Sequence, residues 1–359
     1  MKVLQVMPNF SLAGAEIMCE NLVYALKNQG VDVVVVSFYD QKSAITDRLE
    51  AAGITVHYLG KKSGLDLSLI SKLKKLFKEE RPDVIHTHRY AMQYAIPAAI
   101  MAGVKARVHT VHSIATKELG KGKRILAKLF YKNHGVVPVA LSDTVKGTVV
   151  SEYKLPESRI PVIFNGVDLS KCNPKKDYAV NDKFRILHIG RFEAVKNHEM
   201  LIRAFDKFYK AHPESELFLV GDGELRPSIE ALADELELRE SVRFLGIQSD
   251  VHGFLSDADA FILPSVYEGI PMTLIEAMGS ALPIIASNVG GIPDMLKNGE
   301  SAILTEVNAD AFANAMSSLY EDEQLRRSLG TSALSESVNF SAEEMAKKYK
   351  EVYASLIER

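Results

Sequence analysis

The chain has 359 residues, of which 47% are hydrophobic and 25% are charged. This composition is typical of a globular protein with room for two domains, and it excludes disordered and collagenous classes. Two cysteines, Cys19 and Cys172, form neither a disulfide framework nor a metal-ligand pattern, and no apolar run reaches the length of a membrane span. The opening residues do not resemble a signal peptide, because Pro8 interrupts them early, so we expect a cytoplasmic protein.

The net charge of −3 hides an asymmetry between the two halves of the chain. Residues 1–172 carry 24 Lys and Arg against 15 Asp and Glu, a net charge of +9, whereas residues 173–359 carry 19 against 31, a net charge of −12. The positive half suggests an anionic partner. This partner could be nucleic acid, and a membrane surface or anionic lipid is at least as good a candidate. The alternative without a partner is an excess of Lys and Arg that is dispersed over the surface with no preference for one face.

Short β-branched runs alternate with helical patterns along the first half. We predict strands at 3–7, 32–38, 55–58, 83–86, 106–110 and 136–141, and helices near 14–28, 44–52, 66–79, 90–102, 123–133 and 143–153. Strands that alternate with helices in this way favour parallel pairing through right-handed crossovers.

The polar segment 173–183, which contains Pro174 and has no periodicity, predicts a linker. The alternation then resumes, with strands at 185–189, 217–220, 242–245, 260–263 and 283–286 and helices near 197–210, 224–237, 249–256, 272–280 and 308–320. We therefore predict an α/β chain of two doubly wound, Rossmann-like domains, residues 1–172 and 184–340, whose strand ends face a central cleft. Residues 341–359 form a last helix that could pack on either domain, including back on the first.

Two glutamates, Glu268 and Glu276, follow the apolar strand 260–263, and Glu276 lies in the next predicted helix. A carboxylate accepts two hydrogen bonds from a pair of neighbouring hydroxyls, and the first amides of a helix bind phosphate. One carboxylate for a ribose, one for a hexose and amides for the phosphates between them would suit a nucleotide-sugar.

Two cations, Arg191 and Lys196, flank the turn after the first strand of the second half. At a strand end beside a helix start they would offset the charge of a diphosphate without a metal, each contact contributing roughly 1.5–3 kcal/mol. A solvated turn with two ordinary basic residues is the alternative.

Neither glycine-rich turn matches the dinucleotide fingerprint. Gly221 and Gly223 are followed by Arg226 where a third glycine would stand, so the turn is weak evidence for NAD. In the first half, Gly14 lies in a turn that fails the same test but still lets backbone amides face a phosphate.

Histidines and paired aspartates raise the question of a metal, and we predict none. The stretches His86–His88 and His109–His112 lack a spacing that demands zinc. Asp257 and Asp259 form an Asp-x-Asp pattern, which some sugar transferases use to bind a metal. Here the pattern is adequately explained as carboxylates at the end of a helix. His112, just past a strand, is a candidate polar contact to substrate, with a structural histidine as the alternative.

A basic amphipathic segment at 117–132 surrounds apolar residues with Lys121, Lys123, Arg124 and Lys128. Such a helix can lie in a membrane interface or contact an anionic acceptor. An ordinary surface helix docked by its apolar face is the equal alternative.

Together these motifs resemble the retaining glycosyltransferases of family 4, which have the GT-B fold of two Rossmann-like domains. The resemblance runs through nearly the whole chain. The matching segments are AGAE at 13–16, TVHS at 110–113, FNGVD at 164–168, GRFEAVKN at 190–197, VGDGELR at 220–226 and PSVYEGIPMTLIEAM at 264–278. Ala13 departs from the glycine that the family usually has, which removes no chemical group.

The resemblance implies roles for individual residues. Arg191 and Lys196 would bind the donor diphosphate, Glu276 the ribose and Glu268 the transferred sugar. His112 would contact the donor sugar, so that it and Glu268 orient the reaction rather than act as nucleophile and base. The remaining donor contacts would be Gly14 at the phosphates, Gly246 and Ile247 at the nucleobase, and Ile270, Pro271, Met272 and Thr273 around the sugar and phosphates.

The resemblance further implies a metal-independent, retaining transferase without a cofactor. It would move a hexose or N-acetylhexosamine from a UDP-sugar to a glycan acceptor, in particular a lipid-linked one at an anionic membrane surface, in surface polysaccharide synthesis. No nucleic acid partner is expected. Two other interpretations stay open: a nucleotide-sugar epimerase or hydrolase of the same fold, and a non-enzymatic two-lobed sugar-binding protein.

Overall fold

Two parallel sheets account for the two halves of the chain in the computed structural model, which describes residues 1–11, 13–180, 182–248 and 250–358. The chain forms two compact units, the first being Met1–Gly166 together with the residues from Ala342 onward, and the second being Val167–Ser341. Positions 12, 181, 249 and 359 fall in the predicted first turn, linker, helix and C-terminal segment, and they lie outside the described residues.

The first unit contains a six-stranded parallel sheet in the order β3-β2-β1-β4-β5-β6. Its strands are β1 (Lys2–Met7), β2 (Asp32–Ser37), β3 (Thr55–Tyr58), β4 (Val84–His88), β5 (Ala106–Val111) and β6 (Val136–Ala140). The helices that follow these strands are α1 (Gly14–Asn28), α2 (Ala44–Ala51), α3 (Ser68–Glu80), α4 (Met92–Ala102), α5 (Ala115–Glu118), α6 (Lys121–Asn133) and α7 (Asp143–Tyr153).

The second unit repeats the plan with the sheet order β12-β11-β10-β7-β8-β9. Its strands are β7 (Phe184–Ile189), β8 (Ser215–Val220), β9 (Val242–Gly246), β10 (Ala260–Leu263), β11 (Ile284–Ser287) and β12 (Ile303–Thr305). Its helices are α8 (His198–Ala211), α9 (Arg226–Glu235), α10 (His252–Asp257), α11 (Met272–Gly279), α12 (Ala309–Glu321) and α13 (Glu323–Ser337). We predicted neither β12 nor α13.

Both sheets have a switch point, where the strand order reverses and the connections diverge. It lies between β1 and β4 in the first unit and between β7 and β10 in the second. The central strands are buried along nearly their whole length, as expected for parallel strands covered on both faces. The segments that follow these four strands are therefore the first places to look for a ligand site.

Helix starts differ in their capping. Side chains of Ser142, Asn308 and Asp322 accept hydrogen bonds from the first-turn amides of α7, α12 and α13. The helices that follow the switch strands β1 and β10 begin without such a cap: Ala13 precedes α1 and Pro271 precedes α11. Their first amides are left for other acceptors.

The last helix, α14 (Ala342–Ile357), belongs to the first unit, where it packs on α1 and β5. Tyr349 and Tyr353 of this helix are fully buried, and Lys350 Nζ donates to the carbonyl of Gln29 at 3.1 Å. Packing of the C-terminal segment on the first half was one of the two placements that we expected.

The segment expected to be a linker packs within the second unit. Tyr178 is buried and donates its hydroxyl hydrogen to the carbonyl of Ala281 at 2.8 Å, while Arg326 Nη2 donates to the carbonyl of Tyr178 at 2.7 Å. The boundary between units lies at Gly166–Val167 instead, because these side chains tie residues beyond it to the second core.

Candidate functional site

The switch point of the second unit brings a cation and a carboxylate into contact. Lys196, in the segment after β7, lies 2.6 Å through its Nζ from Oε1 of Glu268, in the segment after β10. Ser265 also donates its hydroxyl hydrogen to that oxygen at 2.6 Å. Both charged side chains are mostly buried, at 18% and 11% exposed. The pair therefore holds Glu268 in one position, and we had not predicted Ser265.

Two glycines shape the backbone that carries Glu268. The amide of Gly291 donates to the carbonyl of Glu268 at 3.1 Å. A Cβ added at Gly290 would lie 1.9 Å from the same carbonyl oxygen, and one added at Gly291 would lie 2.3 Å from the carbonyl oxygen of Gly269. Gly290 also has a φ of +57°, which favours glycine. Sequence reasoning missed both positions, although the pair of adjacent glycines after β11 was visible.

Helix α11 presents its N-terminus and a second glutamate. Met272 and Thr273 form its first turn, where the helix dipole is positive. Glu276 lies one turn further on, and burial raises its pKa from 4.5 to about 7, an effect that nearby Lys171 partly opposes and Asp250 reinforces. Ile270 and Pro271, ahead of the helix, are buried. The segment thus combines amides that suit an anion with a carboxyl that titrates near neutral pH.

The other predicted donor contacts lie at the ends of β7 and β9. Arg191 is more than half exposed and pairs with Glu193 at 3.0 Å rather than with the Lys196–Glu268 pair. The carbonyl of Gly246 accepts from the amide of Gly221 at 2.8 Å, which packs the segments after β8 and β9 together. Ile247 is 73% exposed.

The first unit has a cavity of about 390 Å³ at the carboxyl edge of its sheet. Its lining comes from the segments after β1, β4 and β5: Ala13, Ala15, Glu16, Arg89, Tyr90, His112, Ser113, Lys117, Glu118, Leu119, Gly120 and Lys123. Gly14 lies between two lining residues, and a Cβ added there would meet nothing within 4 Å. The structure therefore brings the predicted residues Gly14, His112 and Lys123 into one region.

An ion pair spans the switch point of this unit as well. Glu16 of α1 is fully buried and accepts from Nη1 of Arg89, which follows β4 and has a φ of +52°. A left-handed backbone is uncommon for arginine. The two paired side chains form part of one wall of the cavity.

His112 is neutral at physiological pH. Burial, with smaller contributions from His109 and Arg89, lowers its pKa to about 3. Its Nε2 lies 3.0 Å from Nδ1 of His88. The side chain can therefore donate or accept a hydrogen bond, but it does not supply a positive charge.

Glu118 is a candidate that sequence reasoning missed. Burial raises the pKa of its carboxyl from 4.5 to about 7, although the nearby backbone amides of His112 and Ser113 and the charge of Arg89 oppose the rise. Its Oε1 is buried and has no hydrogen-bond partner within the described part of the chain. The residue lies in a basic segment, so nothing in the local pattern marked it.

The basic helix α6 divides its charged residues between two directions. Lys123 lies over the ring of Tyr90, with its Nζ 5.1 Å from the ring centroid, and lines the cavity. Arg124, which we grouped with the membrane or acceptor contacts, donates to the carbonyl of Thr116 and pairs with Glu152 at 2.8 Å, so its charge is paired inside the unit. The outward face instead carries Lys121 and Lys128 with two exposed apolar residues, Ile125 (74% exposed) and Leu129 (43% exposed).

Asp259 of the Asp-x-Asp motif has partners within the second unit. Asp259 pairs with Lys175 at 3.0 Å and accepts from the amide of Arg185 at 2.9 Å. Across the residues that the structure describes, no group of three or more His, Cys, Asp or Glu side chains is arranged to hold a metal ion.

Comparisons with known proteins agree with this geometry. Residues 12–171 match the family model Glycosyltransferase Family 4, and residues 172–335 match Glycosyl transferases group 1. The chain is 30% identical over 308 residues to N-acetyl-alpha-D-glucosaminyl L-malate synthase of Bacillus anthracis, covering 81% of this chain and 80% of the relative. It is also 30% identical over 315 residues to the Escherichia coli UDP-Gal:alpha-D-GlcNAc-diphosphoundecaprenol alpha-1,3-galactosyltransferase, with the same coverage.

Among solved structures, Anabaena HepE in complex with UDP and glucose has a TM-score of 0.86 at 21% identity, covering 99% of this chain and 100% of that one. At this identity the likeness concerns the fold, and it confirms the prediction of the GT-B type. With both family models matched in order along the chain, the protein belongs to the family 4 glycosyltransferases and is a glycosyltransferase.

Proposed function

We propose that the protein transfers a hexose or N-acetylhexosamine from a UDP-sugar to a glycan acceptor with retention of the anomeric configuration. The observation that carries the proposal is the Lys196–Glu268 pair beside the uncapped start of α11, with Glu276 on the same helix. UDP is supported as the nucleotide because the Anabaena structure holds UDP and the Escherichia coli relative uses UDP-galactose.

In the second unit, the donor would meet three kinds of group. Lys196 and the first amides of α11 would take the diphosphate, which needs positive charge and hydrogen-bond donors. Glu276 would accept from the two ribose hydroxyls and Glu268 from hydroxyls of the transferred sugar. On binding, Lys196 would exchange part of its contact with Glu268 for a contact with phosphate.

Retention would follow from attack on the face that the leaving group vacates. The acceptor oxygen forms a bond to the anomeric carbon as the bond from that carbon to the diphosphate oxygen breaks, and the acceptor proton passes to the released phosphate oxygen. His112 and Glu268 would orient the reactants, because a neutral imidazole and an ion-paired carboxylate are poor choices for a nucleophile. The anomeric configuration of the product, read by proton NMR, tests this step.

Metal independence is part of the proposal. The charge of the leaving diphosphate would be offset by Lys196, Arg191 and the α11 dipole instead of a divalent ion. Turnover that persists in excess EDTA supports this, and turnover that only added Mg²⁺ or Mn²⁺ restores contradicts it.

The first unit is proposed to take the acceptor. Its cavity combines a carboxyl, Glu118, with cations at Arg89, Lys117 and Lys123, a lining suited to hydroxyls together with an anionic group. A lipid-linked diphosphate glycan has both, and the Escherichia coli relative acts on a GlcNAc-diphosphoundecaprenol. Surface polysaccharide assembly is the process in which such acceptors are extended.

A peripheral membrane position would bring the enzyme to that acceptor. No helix in the described residues is both long and apolar enough to cross a bilayer. The outward face of α6 instead offers Lys121 and Lys128 to anionic headgroups and Ile125 and Leu129 to the interface. Replacing Ile125 and Leu129 by Ser should reduce sedimentation with anionic vesicles, and equal sedimentation of the variant and the parent chain would refute the docking role.

The experiment that tests the whole proposal is nucleotide release over a panel of UDP- and GDP-sugars, with and without membrane lipid extract. We expect release from one UDP-sugar that the extract accelerates. Release that no acceptor accelerates would point to a hydrolase or epimerase instead.

A further inference from the structure

A chain of buried hydrogen bonds leads away from His112. Its Nε2 lies 3.0 Å from Nδ1 of His88, and Nε2 of His88 lies 2.8 Å from Oε1 of Gln5 on β1. The amide nitrogen of Gln5 in turn donates to the hydroxyl of Tyr353, at 3.3 Å. One end of the chain thus lines the cavity, and the other lies on the C-terminal helix α14.

The chain continues beyond Tyr353 through equally buried groups. The Tyr353 hydroxyl lies 2.7 Å from Nδ1 of His86, and Nε2 of His86 lies 2.7 Å from Oγ1 of Thr110. Thr110 is in contact with the hydroxyl of Tyr349, also at 2.7 Å. All members from His88 onward are fully buried, so water does not compete for these bonds.

The order of donors and acceptors follows from the amide. Oε1 of Gln5 can only accept, so Nε2 of His88 carries a hydrogen. Burial and the neighbouring imidazoles lower the pKa of His88 well below its usual value, so the ring is neutral and holds that single hydrogen. Its Nδ1 must then accept, and the donor at 3.0 Å is Nε2 of His112. The proton of His112 therefore lies on Nε2, which leaves the Nδ1 lone pair for the cavity.

We propose that His88, Gln5 and Tyr353 are positioning residues that hold His112 as the Nε2–H tautomer, so that its Nδ1 accepts a hydrogen bond from a substrate hydroxyl. The identity of the substrate rests on the function proposed above, whereas the tautomer does not. A ligand whose matching hydroxyl is replaced by hydrogen loses a donor that this site is built to receive, and it is discriminated against accordingly.

The same series of hydrogen bonds has one other consistent arrangement of donors and acceptors. If the Gln5 amide is turned over, every bond reverses: Gln5 donates to His88, His88 donates to His112, and Nδ1 of His112 presents a hydrogen to the cavity. The Tyr353 hydroxyl would then donate to Gln5. The two arrangements predict opposite tautomers of His112, which makes the proposal directly measurable.

The first experiment is long-range ¹H–¹⁵N correlation NMR of the full chain labelled at histidine, with His112 assigned by its substitution. We expect the Nε2–H form of His112 in the parent chain, with no substrate present. The Nδ1–H form as the main species would overturn the proposal, whether or not any sugar is turned over.

Variants test the contribution of each member. Tyr353→Phe leaves the Gln5 amide nitrogen without its acceptor, so we expect a measurable Nδ1–H fraction of His112. Tyr153 is another buried tyrosine of the same unit, and it is not part of this hydrogen-bond series. Tyr153→Phe should therefore leave the His112 spectrum as in the parent protein. An unchanged His112 spectrum in Tyr353→Phe would remove Tyr353 from the proposal.

Turnover separates a positioning role from a structural one. His88→Leu should lower kcat about fivefold, with KM for the donor within about twofold, because one neutral hydrogen bond that orients His112 is lost. His88→Asn can still accept at the position of Nδ1 and should restore most of the activity. If His88→Asn and His88→Leu are equally impaired, the hydrogen bond to His112 is not what matters and the proposal fails.

Discussion

Ionisation of the buried Glu276 should lower the free energy of unfolding at neutral and alkaline pH. Its pKa rises from 4.5 to about 7 because folding buries the carboxyl. A raised pKa means that the folded state holds the proton more tightly, so the free energy of unfolding falls as pH rises from 4.5 to about 7 and then levels off. At about 1.4 kcal/mol for each unit of pKa, the loss by pH 8 is on the order of 3 kcal/mol.

The substitution Glu276→Gln removes this penalty, because glutamine has nearly the same shape and does not ionise. We expect the variant and the parent chain to be nearly equally stable at pH 4.5, and the variant to gain an advantage that reaches on the order of 3 kcal/mol at pH 8. The same variant should bind the donor more weakly, since it lacks the carboxylate proposed for the ribose. Such an exchange of stability for function is common at binding sites.

Hydrogen exchange read by mass spectrometry is the suitable assay, because a chain with two units does not unfold in one step. Peptides covering β10 and α11 report the second unit, with exchange rates corrected for the intrinsic effect of pH. Glu199→Gln, at an exposed position of α8, is the matched control and should change protection little at either pH. Equal protection of Glu276→Gln and the parent at pH 8, or an advantage as large at pH 4.5, would refute the reasoning.

Other consequences of the site can be measured separately. Lys196→Ala should lower kcat/KM for the donor by roughly 10- to 150-fold with little change in acceptor KM. Lys207→Ala, on the surface of α8, is the control and should leave kcat/KM unchanged. Unchanged turnover in Lys196→Ala would refute the assignment of Lys196 to the donor phosphates. The donor KM should fall as pH rises from 6 to 8, because Glu276 must ionise to accept two hydroxyls, and Glu276→Gln should lose that slope in initial-rate assays. Gly290→Ala should abolish donor binding measured by calorimetry, since its Cβ would collide with the Glu268 carbonyl; normal affinity would show that the backbone there can shift.

The sequence predicted most of the helices and strands, because their residue patterns are local features of the chain. Local patterns of residue type were enough to predict β3, β10 and the helices α1 and α7 close to their observed bounds. The same reasoning missed β12, which has only three residues, and α13, whose core-facing side is narrow. Short or weakly patterned elements depend on neighbours that a local pattern does not contain.

The sequence by itself determined the two-unit α/β plan, the chemical character of the segment 264–278 and the presence of cations after β7. Only the tertiary structure decided which groups meet. Lys196 contacts Glu268 because β7 lies beside β10, and His88 contacts His112 because β4 lies beside β5. The raised pKa of Glu118 and the pairing of Arg124 with Glu152 likewise follow from burial and packing in the folded unit. Contacts and burial are set by strand order and packing, which residue types and their spacing along the chain do not contain.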